Sequence, residues 1–118
     1  MRPLPVPLML PNAGAATIDP PKITEYLLNL SHPDGGPKAK FYIARGYILD
    51  NWTQLADDLR THGTTHPVST TMTSVYGAKY TIEGPMTTPD GKSVVIRSVW
   101  IINKGEDVPR FVTGYYFG

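Results

Sequence analysis

The chain contains no cysteine, which removes disulfides, thiol nucleophiles and thiolate metal ligands together. That suits a reducing cytosol without requiring one. It also lacks charge of either sign in excess. Eleven Lys and Arg against ten Asp and Glu leave +1 over 118 residues, so no overall field advertises nucleic acid. Any phosphate site must therefore be local. No stretch approaches the ~20 apolar residues of a membrane helix. The apolar opening, Met1 to Pro11, is interrupted by Pro3, Pro5, Pro7 and Pro11 and has no small-residue cleavage site, so it does not read as a signal peptide. There is no G-x-x-x-x-G-K-[ST] loop and no nucleophile elbow. Carboxylates are not paired as glycoside hydrolysis needs. The histidines, His32, His62 and His66, read as scattered, with the last two on the surface, so no metal site is expected.

An apolar share of 41% with 18% charged residues is that of a globular chain, and the length fits one core. Residues 1–17 read as an extended, proline-rich arm, with Leu8, Met9 and Leu10 available to pack on the sheet or on a partner. Residues 18–118 read as a single α+β domain. Asp19 is placed to cap a helix at Pro20, with Ile18 stapling onto Ile23 and Ile23, Tyr26, Leu27 and Leu30 forming its apolar stripe. Pro33 and two glycines end it. A second helix is predicted from Pro37 to about Arg45, stopped by Gly46. A third is capped by Asp50 or Asn51, buries Trp52, Leu55, Ala56 and Leu59, and closes at Gly63. Asp57, Asp58 and Arg60 are assigned to its wet side.

After Pro67 the period becomes two, and threonine and valine dominate. Strands are predicted over 68–75, 78–84, 92–103 and 110–117, with turns at Tyr76-Gly77 and Pro89-Asp90-Gly91. The fold class is thus α+β: three N-terminal helices followed by a four-stranded antiparallel meander sheet, helices on one face.

Chemistry is sought first between Asn29 and Lys38, a polar, glycine-rich loop entering a helix N-terminus where free N–H groups favour anions. Lys38 stands there against the macrodipole, as it would beside a phosphate or as a solvated surface residue. His32 brings an imidazole, the natural general base for a ribose 2′-hydroxyl, or else it is a histidine that merely caps its own loop. Arg97 interrupts the apolar row Val95, Val99 and Ile101, so it needs a phosphate or a carboxylate, for which Glu83, Asp90 and Glu106 are available. Thr113 and Tyr115 offer hydroxyls on the last strand. Lys40, Tyr80 and Tyr115 offer charge and stacking surface to RNA, although tyrosines in a small sheet are as readily core residues.

The series Leu10-Pro11-Asn12-Ala13, Ile18-Asp19-Pro20, Tyr26-Leu27-Leu28-Asn29 and His32-Pro33-x-Gly35-Gly36-x-Lys38-Ala39 resembles an uncharacterised bacterial domain family. Asp50-Asn51, Tyr76-Gly77, Gly84-Pro85, Pro89-x-Gly91, Val95-x-Arg97-x-x-Trp100 and Pro109-Arg110-x-Val112-Thr113 continue the likeness from Leu10 onward. Members look like stand-alone proteins or C-terminal domains of polymorphic toxins and phage-associated proteins. The order of helices and meander is similar to the barnase–EndoU–colicin–RelE ribonucleases. That resemblance implies a metal-independent, cofactor-free ribonuclease toxin that cleaves RNA by 2′-hydroxyl transphosphorylation. It would act in the cytoplasm, be secreted in some settings within a larger toxin, and meet a cognate immunity or antitoxin protein. By residue type, His32, Lys38, Arg97 and Thr113 are the catalytic counterparts, with Lys40, Tyr80 and Tyr115 binding substrate. This chain lacks the second active histidine that some of those enzymes carry, which leaves the general acid unassigned. The alternative is a non-catalytic interaction module, antitoxin-like or a phage accessory protein, consistent with the near-neutral charge and the apolar arm.

Overall fold

The computed structural model describes residues 8–117, so the prolines of the arm at positions 3, 5 and 7 lie outside it. The helices are α1 (Pro20–Lys22, continued by a π-helical turn over Ile23–Leu27), α2 (Gly36–Ala44) and α3 (Trp52–Thr65). The strands are β1 (Val68–Ser74), β2 (Gly77–Thr87), β3 (Ser93–Asn103) and β4 (Arg110–Tyr116), in one antiparallel sheet ordered β1-β2-β3-β4. The sheet is the C-terminal meander expected, while the helical half is less regular than its sequence suggested, with 3₁₀ turns at Ala13–Ala15 and Leu49–Asn51. None of the helices among the described residues is long and apolar enough to cross a membrane.

Local chemistry explains most departures. Leu28 N–H reaches back five residues to Ile23 O, and this wider turn shifts the helix phase. Leu28 is buried in place of Leu30, which is exposed. Asp19 begins the helix in an extended conformation but makes no side-chain cap. Asn51 makes none either, and the Gln54 amide donates to Asp58 at 3.0 Å. Asp58 is not simply wet, because the Tyr47 hydroxyl also donates to it at 2.6 Å. Burial and this bond push the Tyr47 hydroxyl far above its ordinary pKa, so it stays a donor. Pro85 is tolerated inside β2 because β1 pairs only as far as Ile82, leaving Pro85 bonded on the β3 side alone.

Helices and the described part of the arm cover one face of the sheet. Ile82, Ile96, Ser98, Trp100 and Phe111 point into a core shared with Ile23, Leu27, Tyr42, Tyr47, Leu55 and Leu59. Leu10 joins it, while Leu8 and Met9 are exposed. Gly63 does not end α3 as predicted: it lies within the helix, against the indole of Trp100.

His62 also departs from its expected place on the surface. It is 2% exposed, not a surface residue, and stands one helical turn from His66 (ring centroids 5.0 Å apart), so the two are spaced rather than scattered. The Trp100 indole N–H donates to Ser98 Oγ at 3.0 Å, which leaves the Ser98 hydroxyl to donate to His62 Nδ1 at 2.9 Å. The Nε2–H of His62 then donates to Gly84 O at 3.1 Å. This chain of donors fixes a neutral imidazole. Burial first, and then the neighbouring His66, hold its pKa below the ordinary 6.5. The unfolded chain therefore binds a proton near pH 6.5 that the native state refuses. Stability should be independent of this group above about pH 6.5 and fall as pH drops from there toward the native pKa. Urea midpoints across this range should slope upward with pH in the wild type and more weakly in His62→Gln; identical slopes would contradict the assignment.

Candidate active site at the β4 edge

Beyond α1 the chain closes a tight loop on itself. Asn29 Oδ1 accepts the Ser31 N–H at 3.0 Å, and His32 Nδ1 accepts the N–H groups of Asp34 at 3.0 Å and Gly35 at 2.9 Å. Two backbone donors on Nδ1 require a lone pair there, so the neutral ring carries its hydrogen on Nε2. His32 thus offers a donor, which suits an anion, rather than the free Nε2 lone pair that a general base needs. The loop places the His32 ring edge-on to Tyr26, centroids 5.0 Å apart.

Tyr26 is the residue that sequence reasoning missed. Its helical spacing makes it one more apolar position of the α1 stripe, yet its hydroxyl is the hub of the site. Lys38 Nζ, from the first turn of α2, donates to Tyr26 Oη at 2.9 Å, and Tyr26 Oη lies 3.0 Å from Thr113 Oγ1 on β4. Lys22 and Lys38 sit 5.9 and 5.2 Å from the Tyr26 ring centroid. The detectable signal was its spacing: Tyr26 and Lys22 are four apart on one turn.

Val99 pairs with Thr113 and Trp100 with Phe111, so Val112 is the extra residue of a bulge. Bulges re-aim neighbouring side chains, and this one sits where Thr113 meets the helical layer. Two openings of about 360 Å³ flank the cluster. One is lined by Lys22, Tyr26, His32, Asp34, Val112 and Thr113. The other is lined by Lys38, Phe41 and Tyr115 among others, again with Asp34.

Of the residues predicted from sequence, His32, Lys38, Thr113 and Tyr115 gather at this edge. Arg97 sits one residue beyond: its guanidinium is 5.8 Å from the Tyr115 ring, whose other neighbour is Lys38 Nζ at 5.8 Å. Arg97 pairs with Glu83 at 3.0 Å, donates to the Tyr115 hydroxyl at 3.4 Å, and lies over Phe117 at 4.3 Å. The Tyr115 hydroxyl and Glu83 raise its already high pKa. It is therefore engaged with a carboxylate, on the sheet face away from the helices. Lys40 is exposed on another side of α2 from Lys38. Tyr80 packs on the core side, paired with Trp100, and does not reach the cluster. A further cavity of about 310 Å³ lies at the opposite end of α2, between Tyr47, Gln54, Asp58 and Thr87, and is lined by none of the candidate site residues.

A chain of the structure described as "Contact-dependent growth inhibition toxin - immunity protein complex from Klebsiella pneumoniae 342" superposes with a TM-score of 0.68 at 16% identity. The match covers 90% of this chain and 97% of that one, a likeness of fold. No curated protein matches this sequence. Residues 9–118 match the family described as Domain of unknown function (DUF6883), and the chain belongs to that family.

Proposed function

We propose that this protein is a metal-independent endoribonuclease of the bacterial toxin type, cleaving RNA by 2′-hydroxyl transphosphorylation at the β4 edge. The observation that carries the reading is the meeting of Lys38 Nζ, Tyr26 Oη and Thr113 Oγ1 within hydrogen-bond distance, beside a His32 ring whose Nδ1 is held by its own loop, which leaves Nε2–H as its donor. Three donors of this kind suit one phosphate. Lys38 supplies the charge that stabilises the phosphorane oxygens, and Thr113 and His32 Nε2–H add hydrogen bonds. Asp34, the carboxylate lining both openings, takes the proton of the 2′-hydroxyl as that oxygen attacks phosphorus. The departing 5′ oxygen collects its proton from the Tyr26 hydroxyl, which Lys38 polarises. This replaces His32 as base and supplies the acid that the sequence left unassigned. Arg97 takes no direct part unless it releases Glu83.

The fold likeness to a chain of a toxin–immunity complex supports a partner protein for this chain too, an immunity or antitoxin protein that covers the β4 edge. A second reading, a non-catalytic interaction module, draws on the open sheet face, where Arg97 is neutralised and Val95 and Phe117 are exposed. The two separate in one assay. Purified protein incubated with total RNA and EDTA should yield fragments ending in 2′,3′-cyclic phosphate and 5′-hydroxyl, with loss of cleavage in His32→Ala and Tyr26→Phe. Intact RNA, or cleavage untouched by both variants, would remove the enzyme reading and leave the module.

A further inference from the structure

We infer that β1 is a pairing edge for a second copy of this chain, joining two four-stranded sheets into one of eight strands across a two-fold axis. The two edges of the sheet are treated differently. The β4 edge has backbone groups taken up by its own chain: Thr17 exchanges backbone bonds with Pro109 O at 3.0 Å and Phe111 N–H at 2.9 Å, and the Tyr42 hydroxyl caps Gly114 O at 2.7 Å. On β1, Val68 N–H reaches Leu8 O at 2.7 Å, and among the described residues nothing bonds the outer backbone groups of Ser69 to Ser74. Each of those six residues is exposed on both faces of the strand.

Sheet edges left in water are ordinarily blunted by charge, proline or cover. β1 contains no Lys, Arg, Asp, Glu or Pro, and it places Met72, 69% exposed, at the middle of the segment Thr70 to Ser74 that follows its bulge. A charged strand would find no countercharge here, whereas an identical strand meets no like charge. A two-fold axis normal to the sheet keeps each face on its own side, so residues of the same parity must oppose one another. Centred on Met72, the pairing sets Met72 opposite Met72, Thr71 opposite Thr73, and Thr70 opposite Ser74. Apolar meets apolar and hydroxyl meets hydroxyl, the pairs that favour a sheet. The bulge at Ser69 and the turn after Ser74 bound the paired segment at its two ends.

The absence of native cysteine makes the register testable. Opposed residues in antiparallel pairs have Cα atoms about 4.5–5.5 Å apart, within disulfide reach. Met72→Cys should therefore oxidise to a covalent dimer of twice the 13.0 kDa chain mass. Thr70→Cys, whose symmetry mate lies four residues out of register at roughly 13 Å, should cross-link at least about tenfold more slowly. By sedimentation the wild type should approach the dimer mass as concentration rises, and Met72→Lys, altered at a solvent-facing side chain, should remain monomeric with an unchanged circular dichroism spectrum. A wild type that stays at 13.0 kDa throughout, with both cysteine variants cross-linking at equal rates, would overturn the proposal and leave the edge to a strand of another protein.

Discussion

Lys38→Ala is expected to lower RNA cleavage by about 10²–10³-fold, the scale on which a single donor to a developing oxyanion acts. The ammonium is held at 2.9 Å from Tyr26 Oη and is half-buried, so its charge is aimed before substrate arrives. Little stability should be lost, since the partners it leaves behind can hydrate; a change within about 1 kcal/mol is expected from a hydrogen bond of this kind. Lys38→Arg should recover only part of the activity, because a planar fork cannot occupy the point position that an ammonium fills between Tyr26 and Asp34. Arg97→Ala should cost far less than Lys38→Ala, as Arg97 is already paired with Glu83. Equal losses at the two positions would show that the phosphate sits over Tyr115 and not at the Tyr26 hub. The measurement is initial cleavage rate with EDTA present, beside urea midpoints for every variant.

Gly63→Ala should destabilise the fold by about 1–3 kcal/mol, against the ordinary helical trend. Within a helix alanine is favoured over glycine by about 1 kcal/mol, so propensity alone gives the opposite sign. The added Cβ would stand 2.5 Å from Trp100 Cζ2 and 2.6 Å from its Cε2 and Nε1. The indole cannot yield cheaply. It is fully buried, and its N–H starts the donor chain through Ser98 and His62 to Gly84 O, so a shift of the ring breaks bonds at three residues. Gly14→Ala is the control, because a Cβ there meets nothing within 4 Å. A Gly63→Ala protein with a urea midpoint at or above wild type would refute this account of the packing.

Periodicity made the architecture legible. Alternation over 78–84 placed β2, and a long run apolar on both faces over 92–103 placed β3. Gly77 (φ 140°) marks where the chain leaves the first hairpin turn, which lies one residue earlier than the predicted Tyr76-Gly77 turn. These features are local, because side chains two apart share a face whatever the rest of the chain does. Glu83 as the partner of Arg97 was also within reach, since hairpin register makes them opposite residues. The hub was not. Tyr26, Lys38 and Thr113 meet across as many as 87 residues, and an aromatic on an apolar stripe reads as core until its hydroxyl is seen at the sheet edge. The tautomer of His32 depended on two backbone N–H groups whose direction a loop sequence does not reveal.

The sequence alone determined the class of fold, the order of its elements and the absence of thiol chemistry, because composition and side-chain period act over a few neighbouring residues. Tertiary structure decided which polar groups are buried, which donor faces which acceptor, and which backbone groups at a sheet edge find partners. His62 shows the difference: it looked like a surface residue beside a glycine, and became a neutral core donor only once β2 and β3 had packed against α3. Contact between distant segments fixes such environments, and proton placement and charge follow from them.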